Sequence, residues 1–158
     1  MIYPTIIKDF PDARNIVILR NPLAIANSMM HSEMKAFELF DIAKSIDEIR
    51  KYYKTLEKIC KDGQVHILTY EQLLGNTELI FSKVLDYLDL AKDRMNEIII
   101  ENTLNTKVLV KGAFRSGKAD SFLTELTPQQ IIKINANLSK EIAFYNTQYE
   151  HIKYTCSQ

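Results

Sequence analysis

Asn15 to Leu19 reads Asn-Ile-Val-Ile-Leu, a short apolar run that stops at Arg20, and Asn21-Pro22 opens the next segment. Branched residues in a run of this length suit a strand buried on both faces, as in a parallel sheet. Proline is favoured in the first turn of a helix, where its missing N–H costs nothing. The segment therefore reads strand, basic residue, helix start. In open α/β sheets, ligands bind beyond the carboxyl ends of the strands. A helix N-terminus at that edge offers free N–H groups and a positive dipole end to an anion. A guanidinium beside it adds two parallel hydrogen bonds to a phosphate. On these residues alone, Arg20 is either such an anion grip or a structural ion-pair residue at a strand end.

The rest of the chain supplies the partners such a strand needs. Ser45 with Glu48 makes a capping box, and Ile46, Ile49, Tyr53, Leu56 and Cys60 recur at helical spacing up to a stop at Gly63. Val65 to Thr69 reads as a second strand, so strand, helix and strand imply a parallel crossover. His66 lies inside that strand and reads as a packing residue of the sheet face. Asn76 caps a helix to about Leu88, with Leu79, Ile80, Val84 and Leu88 on one face. A further helix is expected from Asp93 to Asn102, with Ile98 to Ile100 buried. Thr127-Pro128-Gln-Gln130 is a capping box with proline at the first helical position. It opens a last helix carrying Ile131, Ile132, Ile134, Leu138 and Ile142, which Asn146 to Tyr149 would end. Thr5 to Phe10 reads as a short helix or turn, and Lys35 to Lys44 as a connecting helix or loop. The expectation is one α/β domain over residues 1–158, a parallel sheet flanked by helices, with a mobile tail from residue 150.

Composition narrows the function classes. The 158 residues hold 20 Lys plus Arg and 20 Asp plus Glu, so the net charge is zero. That argues against a generally basic nucleic-acid binder while leaving room for a local anion site. Cys60 and Cys156 have neither metal-ligand nor disulfide-framework spacing. No apolar run reaches the roughly 18 residues of a membrane span. Met1-Ile-Tyr-Pro lacks a signal-peptide pattern, so a cytoplasmic location is the expectation.

Arg20-Asn21-Pro22, with a small-residue helix and Ser28 after it, resembles the 3′-phosphate-binding segment of sulfotransferases that use 3′-phosphoadenosine 5′-phosphosulfate (PAPS). That pattern is Arg-Asn/Asp-Pro-Arg-x-x-x-x-Ser, and Leu23 stands where its second Arg would be. The resemblance implies that Arg20 and Ser28 hold the 3′-phosphate. Tyr70-Glu71-Gln-Leu, after the second strand, is similar to the family's Tyr-Glu-Asp-Leu, which implies a contact of Tyr70 with adenine. Without the resemblance, Tyr70 is a half-buried packing aromatic at a strand end. Glu101-Asn102-Thr103 resembles the segment where a Thr-Ser pair approaches the nucleotide, with Leu104 in place of the Ser, and implies a weaker role for Thr103.

Lys111 to Phe122 carries two readings that exclude each other. Gly112 to Lys118 fits the opening of a phosphate-binding P-loop. Ala119, however, lacks the hydroxyl that would hold Mg²⁺, and little chain remains for the later strands of a nucleotidase. Alternatively, Phe114 to Phe122 resembles the sulfotransferase pattern Arg-Lys-Gly-x-x-Gly-Asp/Ser-Trp, and Leu126-Thr-Pro-Gln-Gln130 matches the Leu-Thr-Pro-Glu-Gln beyond it. Arg115, Ser116 and Gly117 would then bind the 3′-phosphate from the side opposite Arg20 and Ser28. Ser116, Asp120 and Phe122 depart from that pattern. A plain Gly/Ser/Lys surface loop is the third possibility.

The resemblance runs from about Phe10 to Tyr149 and covers the C-terminal part of a sulfotransferase. No stretch matches the family's N-terminal Lys-Ser-Gly-Thr loop for the 5′-phosphosulfate, or its catalytic His segment. The implied fold is a P-loop-type sulfotransferase-like sheet, N-terminally truncated. The implied function is transfer of a sulfuryl group from PAPS to a small-molecule or glycan hydroxyl, leaving adenosine 3′,5′-bisphosphate. The implied partner is a second copy or another chain supplying the missing strand. The alternatives are a P-loop nucleotide enzyme and a non-catalytic interaction domain with the same fold.

Overall fold

The computed structural model describes residues 9–31, 40–62, 65–105 and 119–155. Strands β1 (Asn15–Leu19) and β2 (Val65–Thr69) pair in parallel, with Asn15 opposite Val65 and Leu19 opposite Thr69. Between them come α1 (Pro22–Met30) and the 21-residue α2 (Ile42–Asp62). After β2 come α3 (Tyr70–Gly75), α4 (Thr77–Leu88) and α5 (Met95–Asn105). Helices α6 (Phe122–Glu125), α7 (Pro128–Asn137) and α8 (Ser139–Thr155) complete the order. The described chain is thus mixed α/β and mostly helical, with a two-stranded parallel sheet.

The larger core lies on one face of β1. Val17 and Leu19 pack there with Ile46, Ile49, Tyr53 and Leu56 of α2, Ile134 of α7, and Leu138 and Tyr145 beyond it. The apolar stripe of α2 is the one its periodicity predicts, but Ile59 rather than Cys60 is buried at its end. A second cluster, Leu68 with Ile80 and Val84, joins β2 to α4.

Several expectations are corrected. β1 is not buried on both faces: Ile16 is 39% and Ile18 48% exposed. The register puts both on the sheet face of His66 and Leu68, and α4 covers that face at β2. α2 begins one turn before the Ser45/Glu48 box. Asp41 accepts the Lys44 N–H at 2.8 Å, and the buried Ser45 hydroxyl donates back to the Asp41 carbonyl at 2.8 Å. Asn76 is the N-cap of α4 but makes no side-chain cap bond, and Leu79 is exposed. α5 exposes Ile98 and Ile100, although it is a helix where one is expected. The last helix is two helices broken at Leu138, and α8 runs past Tyr149 to Thr155. Its opening capping box is complete, with Thr127 and Gln130 bonded reciprocally at 3.3 and 2.8 Å.

Helical phase within α7 decides which isoleucines are core, since Ile132 and Ile134 lie about 200° apart around the axis. Ile134 is fully buried and Ile132 is 68% exposed. Ile134→Ala is expected to cost about 2–5 kcal/mol of stability, and Ile132→Ala less than about 0.5 kcal/mol. Urea unfolding of the two variants checks this.

Candidate functional site

The register of the sheet brings Arg20 beside Tyr70, because Leu19 and Thr69 are partners and each is followed directly by one of the two residues. Thr69 is fully buried and is the N-cap of α3, accepting the Gln72 N–H at 3.2 Å. Tyr70 is therefore the first residue of a helix that starts where its strand ends. The Arg20 guanidinium carbon lies 4.9 Å from the centroid of the Tyr70 ring, a cation–π distance. Arg20 Nε is buried without a hydrogen-bond partner among the described residues. No carboxylate among them forms an ion pair with Arg20 either. The ion-pair reading of Arg20 thus has no partner there.

The turn after Arg20 is tied down from three directions. Asn21 caps α1 by accepting the Leu23 N–H at 2.9 Å, and Pro22 occupies the first turn. The Asn21 N–H donates to Glu71 Oε1 at 3.0 Å. The Arg20 carbonyl accepts the Tyr53 hydroxyl at 2.5 Å. Glu71 Oε2 in turn accepts the Tyr145 hydroxyl of α8 at 2.9 Å. Burial raises the pKa of both tyrosines, Glu71 adding to the effect, so both hydroxyls are donors at physiological pH. Gln72, where the family pattern has Asp, is also satisfied: it accepts from Thr69 Oγ1 at 2.7 Å and donates to the Tyr149 carbonyl at 3.0 Å.

Ser28 is half-buried on α1, six residues past Pro22 and so about 9 Å along the helix axis. No hydrogen bond joins Ser28 to Arg20 among the described residues. Its neighbour Asn27 is 1% exposed and donates to Ser121 Oγ at 3.2 Å and Glu125 Oε2 at 2.7 Å. These bonds join α1 to the segment that carries α6. Asn27 Oδ1 is buried with no partner among the described residues. Thr103 lies in α5, and its side chain is outside the described residues. Arg115, Ser116, Gly117 and the alternative P-loop Gly112 to Lys118 also lie outside them.

Glu71, Tyr53, Tyr145 and Asn27 are not among the expected site residues. Tyr53 is legible in the sequence as core, and only the use of its hydroxyl is not. Glu71 stands next to Tyr70 in the quoted motif, but nothing in a linear pattern tells that its carboxylate reaches back to residue 21. An open groove of about 480 Å³ between α2 and the start of α8 is lined by Arg50, Lys54, Glu57 and Lys140, with Asn137, Ser139 and Glu141. None of Arg20, Ser28 or Tyr70 lines it.

Comparison with known proteins bears on this strand-end geometry. The model of the sulfotransferase family matches residues 3–94. The chain belongs to the sulfotransferase family. No curated protein and no solved structure matches it. Within this sulfotransferase chain, the matched span contains Arg20, Ser28 and Tyr70, together with Tyr53 and Glu71. Thr103, Arg115, Ser116 and Gly117 fall outside it. Among the described residues, no helix is long and apolar enough to cross a membrane.

His66 sits apart from this constellation, stacked on Tyr87 with ring centroids 5.0 Å apart. Burial, and secondarily Lys83, lowers its pKa below the ordinary 6.5. The unfolded chain therefore takes up a proton at His66 before the folded chain does. Stability is retained above about pH 6.5 and declines as pH falls through the window down to the lowered folded value. His66→Phe, which keeps a ring against Tyr87, is expected to flatten the pH dependence of unfolding in that window. Denaturant titrations at several pH values measure it.

Proposed function

We propose that this sulfotransferase uses PAPS as its sulfuryl donor, and that the strand-end constellation around Arg20 receives the donor's 3′-phosphate and adenosine. The carrying observation is the Arg20 guanidinium. It is half-buried at the carboxyl ends of two parallel strands, without a carboxylate partner among the described residues, and rests on Tyr70. A half-buried cation in that state favours an anionic ligand, since withdrawing an unpaired charge from water is costly. A phosphate supplies two oxygens to the guanidinium fork.

In this reading Arg20 and Ser28 hold the 3′-phosphate, Tyr70 contacts the adenine, and Arg115, Ser116 and Gly117 close on the phosphate from the other side, with Thr103 peripheral. The Asn27–Ser121 bond supports the role of the second segment. Ser121 lies four residues after Gly117, a tether of at most about 14 Å, and it is bonded to the residue beside Ser28. The acceptor is a hydroxyl of a small molecule or glycan, and the product nucleotide is adenosine 3′,5′-bisphosphate.

A charge-assisted hydrogen bond contributes roughly 1.5–3 kcal/mol. Arg20→Ala is therefore expected to weaken adenosine 3′,5′-bisphosphate binding about tenfold or more. Binding of adenosine 5′-monophosphate, which lacks the 3′-phosphate, should change little. Equal losses for both nucleotides in calorimetry would remove Arg20 from this role. The unmutated chain is further expected to show no saturable ATP binding at millimolar Mg²⁺; such binding, lost in Lys118→Ala, would favour a P-loop instead.

A further inference from the structure

The peptide group between Arg20 and Asn21 is held at both of its polar atoms. Its carbonyl accepts from Tyr53 of α2 at 2.5 Å, and its N–H donates to Glu71 of α3 at 3.0 Å. The same Glu71 carboxylate takes the Tyr145 hydroxyl of α8 on its other oxygen at 2.9 Å. Tyr53 is fully buried and Tyr145 is 4% exposed, so neither ring has room to swing away. Tyr53 meets Phe144 edge-on at 6.1 Å, and Tyr145 stacks on Tyr149 at 5.9 Å, which fixes both rings from α8.

A peptide plane has one rotational setting relative to each neighbouring Cα, set by ψ of the residue before it and φ of the residue after. Holding both its C=O and its N–H therefore fixes ψ of Arg20 and with it the direction of the Cα–Cβ bond from which the Arg20 side chain starts. Among the described residues, no hydrogen bond or ion pair grips the guanidinium itself. Its contact is the face of Tyr70, a broad and weakly directional one. The backbone thus fixes the root of the side chain, and the Tyr70 face limits where its guanidinium rests.

We propose that Tyr53, Glu71 and Tyr145 form a peptide clamp whose task is to aim Arg20, making all three positioning residues for the anion that Arg20 receives. The inference rests on the assignment of Arg20 to a nucleotide phosphate, and it extends that site to the C-terminal helix. The three residues come from α2, α3 and α8, far apart in sequence; Tyr53 and Glu71 meet at one peptide group, and Tyr145 holds Glu71 there. A purely structural role would make them interchangeable with other core bonds. A positioning role makes their effect depend on Arg20.

The test uses Tyr53→Phe, Glu71→Gln and Tyr145→Phe in the full chain, each alone and with Arg20→Ala. The two Phe variants keep the rings and remove one hydroxyl each, so they hold the fold if Glu71→Gln does not. Each single variant is expected to weaken adenosine 3′,5′-bisphosphate binding about five- to tenfold and leave adenosine 5′-monophosphate unchanged. Added to Arg20→Ala, the same changes should weaken it no further. A second readout needs no ligand. In the ¹⁵N-arginine spectrum, the Arg20 Nε–H resonance, shifted by the Tyr70 ring, should move towards the position of solvent-exposed arginines in all three variants. Additive losses in the double variants, or an Arg20 resonance unmoved by the three changes, would overturn the clamp. A wild-type chain that does not distinguish the two nucleotides would instead overturn the nucleotide assignment, and the resonance would still decide the clamp.

Discussion

The peptide bond between Arg20 and Asn21 is the point on which the described structure turns. Each of its polar atoms is bonded to a side chain from a different helix, and the residues on either side of it have different tasks: Arg20 ends a strand and Asn21 caps a helix. A strand-to-helix junction in the interior leaves backbone groups that neither element satisfies. Here Tyr53 and Glu71 satisfy them, and Asn21 satisfies the next one at Leu23. The junction is therefore sharp and well bonded without glycine. Because Glu71 sits one residue past Tyr70, the same carboxylate that secures this turn also locks the ends of β1 and β2 together.

The two clusters of apolar residues explain why so small a sheet is stable. A two-stranded sheet alone is marginal in water and needs packing against helices. On one face, Leu19 of β1 is covered by Ile49 of α2, Ile134 of α7 and Leu138 at the helix break, all fully buried, and Tyr145 of α8 joins the same cluster. On the other, β2 is covered by α4 through Leu68, Ile80 and Val84. The asymmetry leaves Ile16 and Ile18 exposed beside a covered Leu68. It also lets His66 stack on Tyr87, while Arg14 holds the end of α4 through the Tyr87 carbonyl at 2.7 Å and an ion pair with Asp89.

How far the sequence reaches depends on the range of each interaction. The strands, the crossover helix, the Thr127 capping box and the role of proline at position 22 are signalled by short-range residue patterns, and they stand in the structure. The start of α2 is not legible because two local signals compete. Ser45 and Glu48 have capping spacing, but Asp41 supplies a cap one turn earlier and Ser45 bonds back into the helix. The exposed face of β1 and the outward isoleucines of α5 are not legible because an apolar residue does not say whether anything lies opposite it. Arg20 and Tyr70 stand out from motif positions and do meet in space. Glu71, Tyr145 and Asn27 do not stand out, since their bonds span 50, 74 and 94 residues, and no periodicity encodes such distances.

The distribution of buried polar groups gives an independent reason to look at this end of the sheet. Burying an amide or hydroxyl is costly unless it is bonded, so a fold keeps such groups where a backbone conformation requires them. Among the described residues the buried polar side chains are Asn27, Ser45, Thr69 and Gln72. Ser45 bonds within its own helix. The other three lie on α1 or at the carboxyl end of β2, and each bonds to a group outside its own element. Tyr53, Glu71 and Tyr145 add three more polar tips at the same end. At the opposite end, Asn15 donates to the carbonyl two residues before it, and the long-range bonds there are those of the exposed Arg14 to Tyr87 and Asp89. Stability alone would be served as well by apolar residues of similar volume. The bonded polar groups gather instead where the two parallel strands end, and the peptide group that follows Arg20 is among those they satisfy.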